Sequence, residues 1–158
     1  MIEIRRGTSQ DMLEFWDGRY AAYAVPYAKR VESGEQEVWM ARDTKNGKWV
    51  GELHLRWKDE DAQLADGKET AYLLAFRVEP DYQGKGIGKQ IMQRVLQRAV
   101  ERGIYKINIG VDEEEEKNLR MYQKWGFDKK VAESSFIDNG QIYPFSVYQK
   151  NMKNVAET

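Results

Sequence analysis

Apolar and polar residues along this chain follow two different periods, and each period indicates one kind of secondary structure. The segments Ile2 to Arg6, Glu37 to Arg42 and Lys48 to Trp57 alternate between apolar and polar positions, which predicts strands. Asn46-Gly47 lies between the second and third of these segments. Because this dipeptide favours a type I′ turn, in which both central residues have positive φ, the pattern predicts a hairpin there.

The segment between the first strand and the hairpin has a helical pattern. Thr8 stands three residues before Asp11, close to the spacing of a capping box that starts a helix. Aromatic residues then recur at helical spacing: Trp16, Tyr20, Tyr23 and Tyr27. Pro26 argues against a single unbroken helix, because proline lacks the N–H that a helix needs. We therefore expect two short helices, or a helix and a turn, with part of this aromatic stripe packed in the core.

The second half of the chain alternates strands and helices. Thr70 to Glu79 is apolar on both faces, which predicts a central strand, and the polar stretch Lys58 to Lys68 before it predicts a loop. From Ile87 apolar residues recur at helical spacing, which predicts an amphipathic helix that Gly103 ends. The remaining predicted elements are a strand at Tyr105 to Val111, a helix near Glu114 to Trp125, and strands at Asp128 to Glu133 and Ile142 to Met152. We expect Asn154 to Thr158 to fray.

The most informative stretch, from Val78 to Lys89, joins the central strand to the amphipathic helix and reads VEPDYQGKGIGK. Its glycines stand at alternate positions: Gly84, Gly86 and Gly88. Backbone N–H groups at such a helix start point outward and carry partial positive charge, so they attract anions. Gln83, Lys85 and Lys89 add polar and cationic groups. The segment is therefore a predicted phosphate site, although a tight turn without a ligand is the simpler alternative.

Two common nucleotide-binding patterns do not fit this segment. The Rossmann pattern GxGxxG lies near the first strand–helix turn of a domain, whereas the GxGxG of this chain lies in mid-chain. The Walker A pattern is GxxxxGK followed by Ser or Thr. Here Gly84 stands one residue too close to Gly88-Lys89, and Gln90 follows. The spacing thus argues against both of these nucleotide sites.

A third pattern does fit. Gln83-x-x-Gly86-x-Gly88, after a strand that ends in Val-x-Pro, resembles the pyrophosphate-binding motif of the GNAT family of N-acetyltransferases. The later segment Met121 to Phe127, MYQKWGF, is similar to the L-Y-x-x-x-G-F segment of that family. The resemblance implies an α/β fold in one domain over residues 1–158. It further implies a mixed, mostly antiparallel central sheet of about seven strands flanked by about four helices, with a splayed parallel strand pair that holds the arm of coenzyme A.

Composition narrows the class of protein. The chain has 158 residues, enough for one domain with its own core, and its 25 basic and 26 acidic residues give a net charge of −1. This balance argues against a dedicated nucleic-acid binder. The absence of cysteine and the single histidine, His54, exclude thiolate chemistry, disulfides and a multi-histidine metal site. Because membrane-span and signal-peptide patterns are also missing, we expect a cytoplasmic enzyme without a metal.

The resemblance implies acetyl-CoA as the acetyl donor. The residues implied to bind its pyrophosphate are Gln83, Gly84, Lys85, Gly86, Gly88 and Lys89. Backbone groups near Phe76 and Val78 are implied to pair with the pantetheine arm, and one N–H there would stabilise the oxyanion of the tetrahedral intermediate. The amine would attack the thioester directly, and the lack of cysteine is consistent with that route.

Tyr122 occupies the position of the family's tyrosine that protonates the departing thiolate, and a phenol is suited to that transfer. A purely structural core tyrosine is the alternative. Asn118 lies one helical turn earlier and is a candidate contact to the pantetheine. The chain departs from the family nearby: Glu115 stands where the family often has Asn, and Asn118 stands where it often has a small residue. Asn118 therefore replaces the usual asparagine contact only in part.

The sequence leaves the general base open. Many members of the family carry a Glu in the strand before the loop, but Leu73 to Val78 contains no acid. Glu52, Asp112 and His54 are the candidates, and an amine of low pKa would need no dedicated base. The acidic run from Asp112 to Glu116 fits a solvated helix start, because the helix dipole favours acids there; attraction of a cationic acceptor is the alternative.

We expect an amine as acceptor, either a small molecule or a peptide, with a mild preference for a cationic small molecule. The resemblance also places the aromatic stripe from Trp16 to Tyr27 beside the acceptor cleft, where its rings could hold a cation. Two other classes stay open: a non-catalytic acyl-CoA-binding or regulatory domain, and a nucleotide-phosphate binder. No nucleic-acid or membrane partner is expected, and the terminal strands are candidates for pairing in a homodimer.

Overall fold

The computed structural model describes residues 1–153, which form seven strands and four α-helices. The strands are β1 (Ile2–Gly7), β2 (Gln36–Asp43), β3 (Lys48–Arg56), β4 (Thr70–Val78), β5 (Lys106–Val111), β6 (Lys129–Asp138) and β7 (Gln141–Asn151). The helices are α1 (Ser9–Trp16), α2 (Ala21–Ser33), α3 (Ile87–Glu101) and α4 (Glu116–Lys124), and a short 3-10 turn covers Pro80–Tyr82. Residues 154–158, which the sequence predicts to fray, lie outside the described residues.

One mixed sheet contains these strands in the order β1-β2-β3-β4-β5-β7-β6. β4 and β5 are parallel, and their paired residues run from Thr70↔Lys106 to Leu73↔Ile109. The pairs β1–β2, β2–β3, β5–β7 and β6–β7 are antiparallel. The predicted α/β fold, with a mixed, mostly antiparallel sheet, four helices and one parallel strand pair, is confirmed.

The chain divides into two compact units. The first contains Met1–Trp57 and Leu74–Arg98, and the second contains Lys58–Leu73 and the chain from Ala99 onward. The strand β4 therefore contributes its first residues to the second unit and its last residues to the first. Each unit has fully buried apolar side chains of its own, such as Leu53 and Ile91 in the first and Ile107 and Phe127 in the second.

Two helices precede the first hairpin, as predicted, but Pro26 does not separate them. α1 begins with the predicted capping box, in which the Thr8 hydroxyl accepts from the Asp11 N–H and the Asp11 carboxylate accepts from the Thr8 N–H. The break lies between Asp17 and Tyr20, whose φ angles of 49° and 59° are left-handed and so end one helix before the next begins. Pro26 lies inside α2, where it removes one hydrogen bond without ending the helix.

The turn prediction was wrong at the first hairpin. Only Gly47 of the Asn46-Gly47 pair has positive φ, 73°, and its N–H donates to the Asp43 carbonyl at 2.8 Å, so this link is not a type I′ turn. Asn139-Gly140, in contrast, has φ angles of 50° and 77° and joins β6 directly to β7. β6 therefore continues to Asp138, beyond its predicted end at Glu133. Most of its side chains are exposed, and only Ala132, Ser134 and Asp138 are partly buried, so the strand has no clear alternation of apolar and polar residues.

The helix after the glycine segment has the predicted apolar stripe, and its far end is anchored to β2. Its stripe includes Ile91 and Val95, both fully buried. Arg98, in the last turn of α3, donates from Nη2 to Oε2 of the buried Glu37 on β2 at 2.9 Å. This ion pair and the apolar stripe hold the helix, and therefore the segment that precedes it, in a defined position.

All four helices are short. The longest, α3, has 15 residues. Nowhere in residues 1–153 is there a helix with both the length and the apolar character that crossing a membrane requires.

Candidate active site

The glycine segment has the strand–turn–helix arrangement that the sequence predicts. β4 ends at Val78, the 3-10 turn covers Pro80–Tyr82, and α3 begins at Ile87. Gly84 and Gly86 have φ angles of 76° and 82°, and no other atom lies within 4 Å of the position that a Cβ would take on either. These two glycines therefore leave an open backbone surface beside the helix start.

Gly88 has a different role, because it allows a close approach. A Cβ on Gly88 would lie 3.2 Å from Phe76 Cζ and 3.7 Å from Val78 Cγ2. Gly51 on β3 is packed as closely, since its Cβ would lie 3.0 Å from Ile91 Cδ1. The start of α3 thus lies directly against β3 and the end of β4, at a distance that a larger residue would not permit.

The first turn of α3 is suited to hold an anion. The first N–H groups of a helix have no acceptor within it, and here the helical bonding begins with Gln90 N–H donating to the Gly86 carbonyl at 3.1 Å. Lys85 and Lys89 are exposed at the same turn. Backbone N–H groups, the helix dipole and two ammonium groups together create the positive potential that a pyrophosphate needs.

Gln83 and Tyr82 hold the turn before the helix in place. Gln83 Nε2 donates to the Val78 carbonyl at 2.9 Å, and the Tyr82 hydroxyl donates to Asp43 Oδ2 at 2.7 Å. The Lys85 ammonium lies 5.4 Å from the centre of the Tyr82 ring. Gln83 therefore has a clear structural role in this segment, and its contact with a ligand stays a prediction.

β4 contains a strained residue just before this turn. Ala75 has a φ of 53°, in the left-handed region that residues with a Cβ rarely adopt. Such strain persists only where the surrounding structure enforces it, and it is concentrated at functional sites. It changes the backbone direction immediately before Phe76 and Val78, the residues whose backbone is predicted to pair with the pantetheine arm.

Two of the candidate bases, Glu52 and His54, are fully buried and bonded to each other, with His54 Nε2 2.7 Å from Glu52 Oε1. Trp16 Nε1 donates to both carboxylate oxygens, at 3.0 and 2.8 Å, and Arg77 Nη1 donates to Oε2 at 2.8 Å. Burial by itself raises the pKa of the Glu52 carboxyl, but the hydrogen bonds from His54 and Arg77 and the positive charge of Arg77 outweigh it and lower that pKa. Glu52 is therefore held as a carboxylate.

Two further residues extend this network and determine where His54 carries its proton. Arg56 Nε donates to Gln36 Oε1 at 2.7 Å, so Gln36 presents its Nε2 to His54 Nδ1, also at 2.7 Å. An amide N–H₂ only donates, so Nδ1 accepts and the proton lies on Nε2. Donation therefore runs in one direction, from Arg56 through Gln36 and His54 to Glu52.

Arg77 is the partly exposed end of this buried network. Its side chain is 31% exposed, whereas that of Glu52 is fully buried. Its guanidinium lies 3.8 Å from the centre of the Tyr20 ring and 5.8 Å from that of Trp16. The predicted aromatic stripe thus packs around the network, with the Trp16 ring 5.5 Å from Tyr20 and 5.6 Å from Tyr27.

Tyr122 lies on α4, where its ring makes edge-on contacts with Trp125 and Phe127 at centroid distances of 6.0 and 6.3 Å. Burial, together with the negative charge of Glu115, raises the pKa of the Tyr122 hydroxyl to about 12. The phenol therefore keeps its proton at physiological pH and is available as a donor to a group that becomes negative. The predicted role as general acid is consistent with this state and stays a prediction.

The acidic run forms a turn in front of α4. Asp112 Oδ1 accepts from the Glu114 N–H at 2.9 Å, and the Asp112 carbonyl accepts from the Glu115 N–H at 3.0 Å. Asn118 Nδ2 donates to Glu115 Oε2 at 2.7 Å, so the two positions at which the chain departs from the family pattern are bonded to each other. Asp112 and Asn118 are both exposed.

A cavity of about 1080 Å³ opens in the second unit, beside this turn. Carboxylates in its lining are Asp112, Glu113, Glu114, Glu115 and Glu133. Aromatic rings in its lining are Tyr72, Phe136, Tyr143 and Phe145. Lys130 Nζ lies 3.0 Å from Glu113 Oε1 and 2.8 Å from Glu133 Oε1, so this one ammonium partly neutralises both carboxylates. The lining keeps an excess of negative charge and attracts cations through that charge and through ring faces.

The sequence analysis missed four features of the buried network: Gln36, Arg56, Arg77 and the role of Trp16 as a donor. These residues lie on β2, β3, β4 and α1, so no local motif connects them. One signal was present, because Glu52 and His54 are polar residues inside an otherwise apolar strand. A buried polar residue requires partners, and such a pair therefore indicates that further polar residues lie nearby in the fold.

Comparison with a known family agrees with the two sequence motifs. Residues 3–127 match the model of the acetyltransferase (GNAT) family, and this range contains both motifs. A mycothiol acetyltransferase from Thermobifida fusca (strain YX) is 30% identical over 105 residues, which cover 62% of this chain and 32% of that protein. The chain thus spans about a third of the length of this relative.

Solved structures share the fold at low sequence identity. A structure from Salmonella typhimurium with its cofactor acetyl-CoA has a TM-score of 0.71 and 16% identity, covering 97% of this chain and 95% of that one. A spermidine/spermine N-acetyltransferase from Vibrio cholerae, in complex with manganese ions, has a TM-score of 0.73 and 16% identity, covering 99% and 96%. These likenesses show the fold, and the match over residues 3–127 shows that the chain belongs to the GNAT family of acetyltransferases.

Proposed function

We propose that this protein is an acetyl-CoA-dependent N-acetyltransferase in which a primary amine attacks the thioester directly. The observation that carries the proposal is the glycine segment, because Gly84 and Gly86 leave open backbone beside the N–H groups that start α3. Membership in the GNAT family supports acetyl transfer, and one neighbour of the same fold was solved with acetyl-CoA.

The first unit binds the donor. The N–H groups at the start of α3 and the ammonium groups of Lys85 and Lys89 bind the pyrophosphate, while Gln83 keeps the turn in place through the Val78 carbonyl. Backbone groups near Phe76 and Val78 pair with the pantetheine arm. One N–H of that backbone stabilises the oxyanion that forms when the amine attacks.

The reaction balances without a covalent enzyme intermediate. The amine nitrogen bonds to the acetyl carbon, the carbon–sulfur bond breaks, and the departing thiolate takes a proton from Tyr122. A pKa of about 12 keeps that proton on Tyr122 until the sulfur becomes negative. The nitrogen, which becomes positive when it bonds to the acetyl carbon, releases one proton to solvent, and solvent returns a proton to the phenolate.

Asp112 is the candidate base that the geometry supports best, because its side chain is exposed. A base must reach the ammonium directly or through one water. Glu52 and His54 are fully buried; the pKa of Glu52 is lowered, and His54 Nδ1 already accepts from Gln36. We therefore assign proton removal to Asp112, and we assign Glu52 and His54 to the network that holds Arg77.

The acceptor in this proposal is a cationic small molecule with a primary amine. Support comes from the cavity in the second unit, where carboxylates and aromatic rings line the same space. The neighbour from Vibrio cholerae is named for two polyamines, which are acceptors of this chemical kind. The relative from Thermobifida fusca is named for mycothiol and not for a polyamine, and because this chain spans only a third of that protein, the cavity is the stronger guide.

Calorimetry with acetyl-CoA, CoA, ATP and NAD tests the donor. Binding of both CoA species and of neither nucleotide is expected. If neither acetyl-CoA nor CoA binds at millimolar concentration, the proposed function is wrong; if ATP or NAD binds instead, the segment is a nucleotide site.

A thiol-release assay with a panel of amines tests turnover and the acceptor. Polyamines should give a higher kcat/KM than neutral amines of similar size, and added salt should reduce this preference because it screens the carboxylates. Asp112→Asn should lower kcat for amines that are charged at neutral pH. Binding of CoA without thiol release from any amine would instead indicate a non-catalytic acyl-CoA-binding domain.

A further inference from the structure

Arg77 is held in one orientation by groups that are themselves buried. Its Nη1 donates to Glu52 Oε2 at 2.8 Å, and its guanidinium lies 3.8 Å from the centre of the Tyr20 ring. Glu52 is fully buried, and Trp16 and His54 donate to its oxygens. Burying a carboxylate is unfavourable, because the charge gives up its hydration. The fold thus accepts a buried charge in order to orient a side chain that is itself 31% exposed.

The Arg77 side chain uses few of its donors. A guanidinium carries five N–H groups, and within residues 1–153 the bond to Glu52 is the one hydrogen bond that this side chain makes. Arg19, whose guanidinium lies 5.7 Å from the centre of the same Tyr20 ring, is different. It donates to two backbone carbonyls and one carboxylate, at distances of 2.7 to 3.0 Å. Arg19 therefore has a structural role, whereas Arg77 is oriented and still able to bind a ligand.

The Arg77 side chain lies on the face of β4 that points away from α3. Neighbouring residues of a strand point to opposite faces of the sheet. Phe76 and Val78 point toward the start of α3, since a Cβ on Gly88 would lie 3.2 and 3.7 Å from their side chains. Arg77 instead packs against Tyr20. Its open donors are therefore beside the backbone that is proposed to pair with the pantetheine arm, on the face opposite to the proposed pyrophosphate site.

A carboxylate is the chemical group that suits these donors. A planar guanidinium can offer two parallel N–H groups to the two oxygens of a carboxylate. The orientation of Arg77 is set before a ligand arrives, and such preorganisation favours binding. The proposed donor does not supply this group, because its pyrophosphate binds at the start of α3 and its acetyl group carries no charge. The carboxylate therefore belongs to the acceptor.

We propose that Arg77 binds a carboxylate of the acceptor, which is then an amine that also carries a carboxylate. Given the proposed acetyl transfer, on which this rests, the cationic acceptor narrows to a diamino acid, whose two ammonium groups keep it positively charged. The buried network behind Arg77 then serves substrate recognition, because it fixes the side chain that selects the acceptor.

A matched pair of amines tests the assignment. Cadaverine is the diamine that remains when lysine loses its carboxylate, and thiol release measures acetyl transfer to either one. In the wild type, kcat/KM should be higher for lysine than for cadaverine. In Arg77→Met the ratio of the two values should fall by about 10- to 100-fold, since hydrogen bonds to a charged group are lost. The loss should lie in KM for lysine, because the carboxylate does not change during the reaction.

Two further variants separate recognition from a structural role. Arg19→Met removes the same charge beside the same ring and should leave the ratio unchanged. Arg77→Lys keeps a positive charge next to the buried Glu52 and so retains the fold if Arg77→Met is too unstable to purify. An ammonium group cannot make the two parallel bonds of a guanidinium, so the ratio should still fall by about tenfold.

Four results overturn the proposal, and they separate it from the proposed function. Turnover of both amines with a ratio that neither Arg77→Met nor Arg77→Lys changes refutes the site and leaves acetyl transfer intact, as does an equal fall of the ratio in Arg19→Met. Calorimetry with succinyl-CoA and butyryl-CoA tests the other source of a carboxylate, and a loss confined to succinyl-CoA in Arg77→Met would assign the group to the donor instead. Binding of CoA without thiol release from any amine would refute acetyl transfer, and the acceptor assignment with it.

Discussion

Replacing Glu52 by glutamine should destabilise the protein even though the two side chains have nearly the same shape. Glu52 accepts hydrogen bonds from Trp16, His54 and Arg77. Glutamine has a single acceptor oxygen, and its amide nitrogen only donates. If that oxygen stays with Trp16 and Arg77, the new N–H₂ group faces the Nε2–H of His54, and two donors oppose each other.

His54 cannot relieve this conflict by moving its proton. On Nδ1 the proton would face the N–H₂ of Gln36, and reversing that amide would turn it against Arg56 Nε, which has no acceptor. One buried donor therefore stays unsatisfied, at a cost of about 1–3 kcal/mol, and the bond from Arg77 loses about 1 kcal/mol when its acceptor becomes neutral. We expect the free energy of unfolding to fall by about 2–4 kcal/mol.

Urea denaturation at neutral pH measures this loss. With a slope of about 2 kcal/mol/M, the midpoint should fall by about 1–2 M. Glu79→Gln is the matched control, because Glu79 pairs with Arg19 at 3.0 Å but the two side chains are 31% and 45% exposed. That surface pair should contribute about 0–1 kcal/mol.

The reversed exchange tests the direction of donation. In Gln36→Glu combined with Glu52→Gln, the carboxylate at position 36 accepts from Arg56 and from the Nδ1–H of His54, whose Nε2 then accepts from the amide at position 52. The double variant should be about 1–3 kcal/mol more stable than the sum of the single changes predicts. Additive effects, or a loss for Glu52→Gln no larger than that for Glu79→Gln, refute a one-way order of donors.

Three further predictions concern pH and the donor site. The pKa of Glu52 is lowered in the folded state, so its contribution to stability is complete above the unfolded pKa of about 4.3 and is lost as the pH falls through the folded pKa. Because Glu52→Gln lacks this contribution, its urea midpoint should fall less steeply on acidification than that of the wild type. Tyr122→Phe should lower kcat by about 10²–10⁴-fold with little change in KM for acetyl-CoA, and no alkaline loss of activity due to Tyr122 should occur below about pH 12. Gly88→Ala, whose Cβ would lie 3.2 Å from Phe76 Cζ, and Gly84→Ala, at a φ of 76°, should each weaken CoA binding in calorimetry by about tenfold.

Each of these predictions has a contradicting result. If the urea midpoints of the wild type and Glu52→Gln fall equally on acidification, Glu52 does not contribute to the pH dependence of stability. Unchanged turnover of Tyr122→Phe, with chemistry rate-limiting, would remove the phenol from proton transfer. Full CoA affinity in Gly84→Ala would mean that the backbone there does not approach the ligand.

Signals that lie close together in sequence were predicted well. The capping box of Thr8 and Asp11, the strand–turn–helix around Gly84 and Gly86, and the stop of α3 near Gly103 all depend on neighbouring residues, and all have the predicted form. The types of the two hairpin turns were harder to predict, although both turns contain the dipeptide Asn-Gly. Asn46-Gly47 and Asn139-Gly140 adopt different turns because the strands on either side determine which backbone angles fit.

The place of the helix break was also missed, although the chain carries a local signal for it. Pro26 looked like the natural interruption, yet the chain bends between Asp17 and Tyr20, where Gly18 has a φ of 81°. Asp17-Gly18 is a dipeptide that favours turns, and the sequence analysis did not use it. The Tyr20 ring lies 3.8 Å from the Arg77 guanidinium, so the bend also places an aromatic ring against the buried network.

By itself, the sequence determined the family, the fold class and the strand–turn–helix form of the segment that we propose binds phosphate, because each depends on glycines, motifs and periodicity within a few turns of the chain. Only the tertiary structure decided the state of the candidate bases. Glu52 and His54 became an inaccessible, one-way hydrogen-bonded pair because Trp16, Gln36 and Arg77 meet them from three other elements. The protonation state of a buried side chain depends on its neighbours in space, and those neighbours lie far away along the chain.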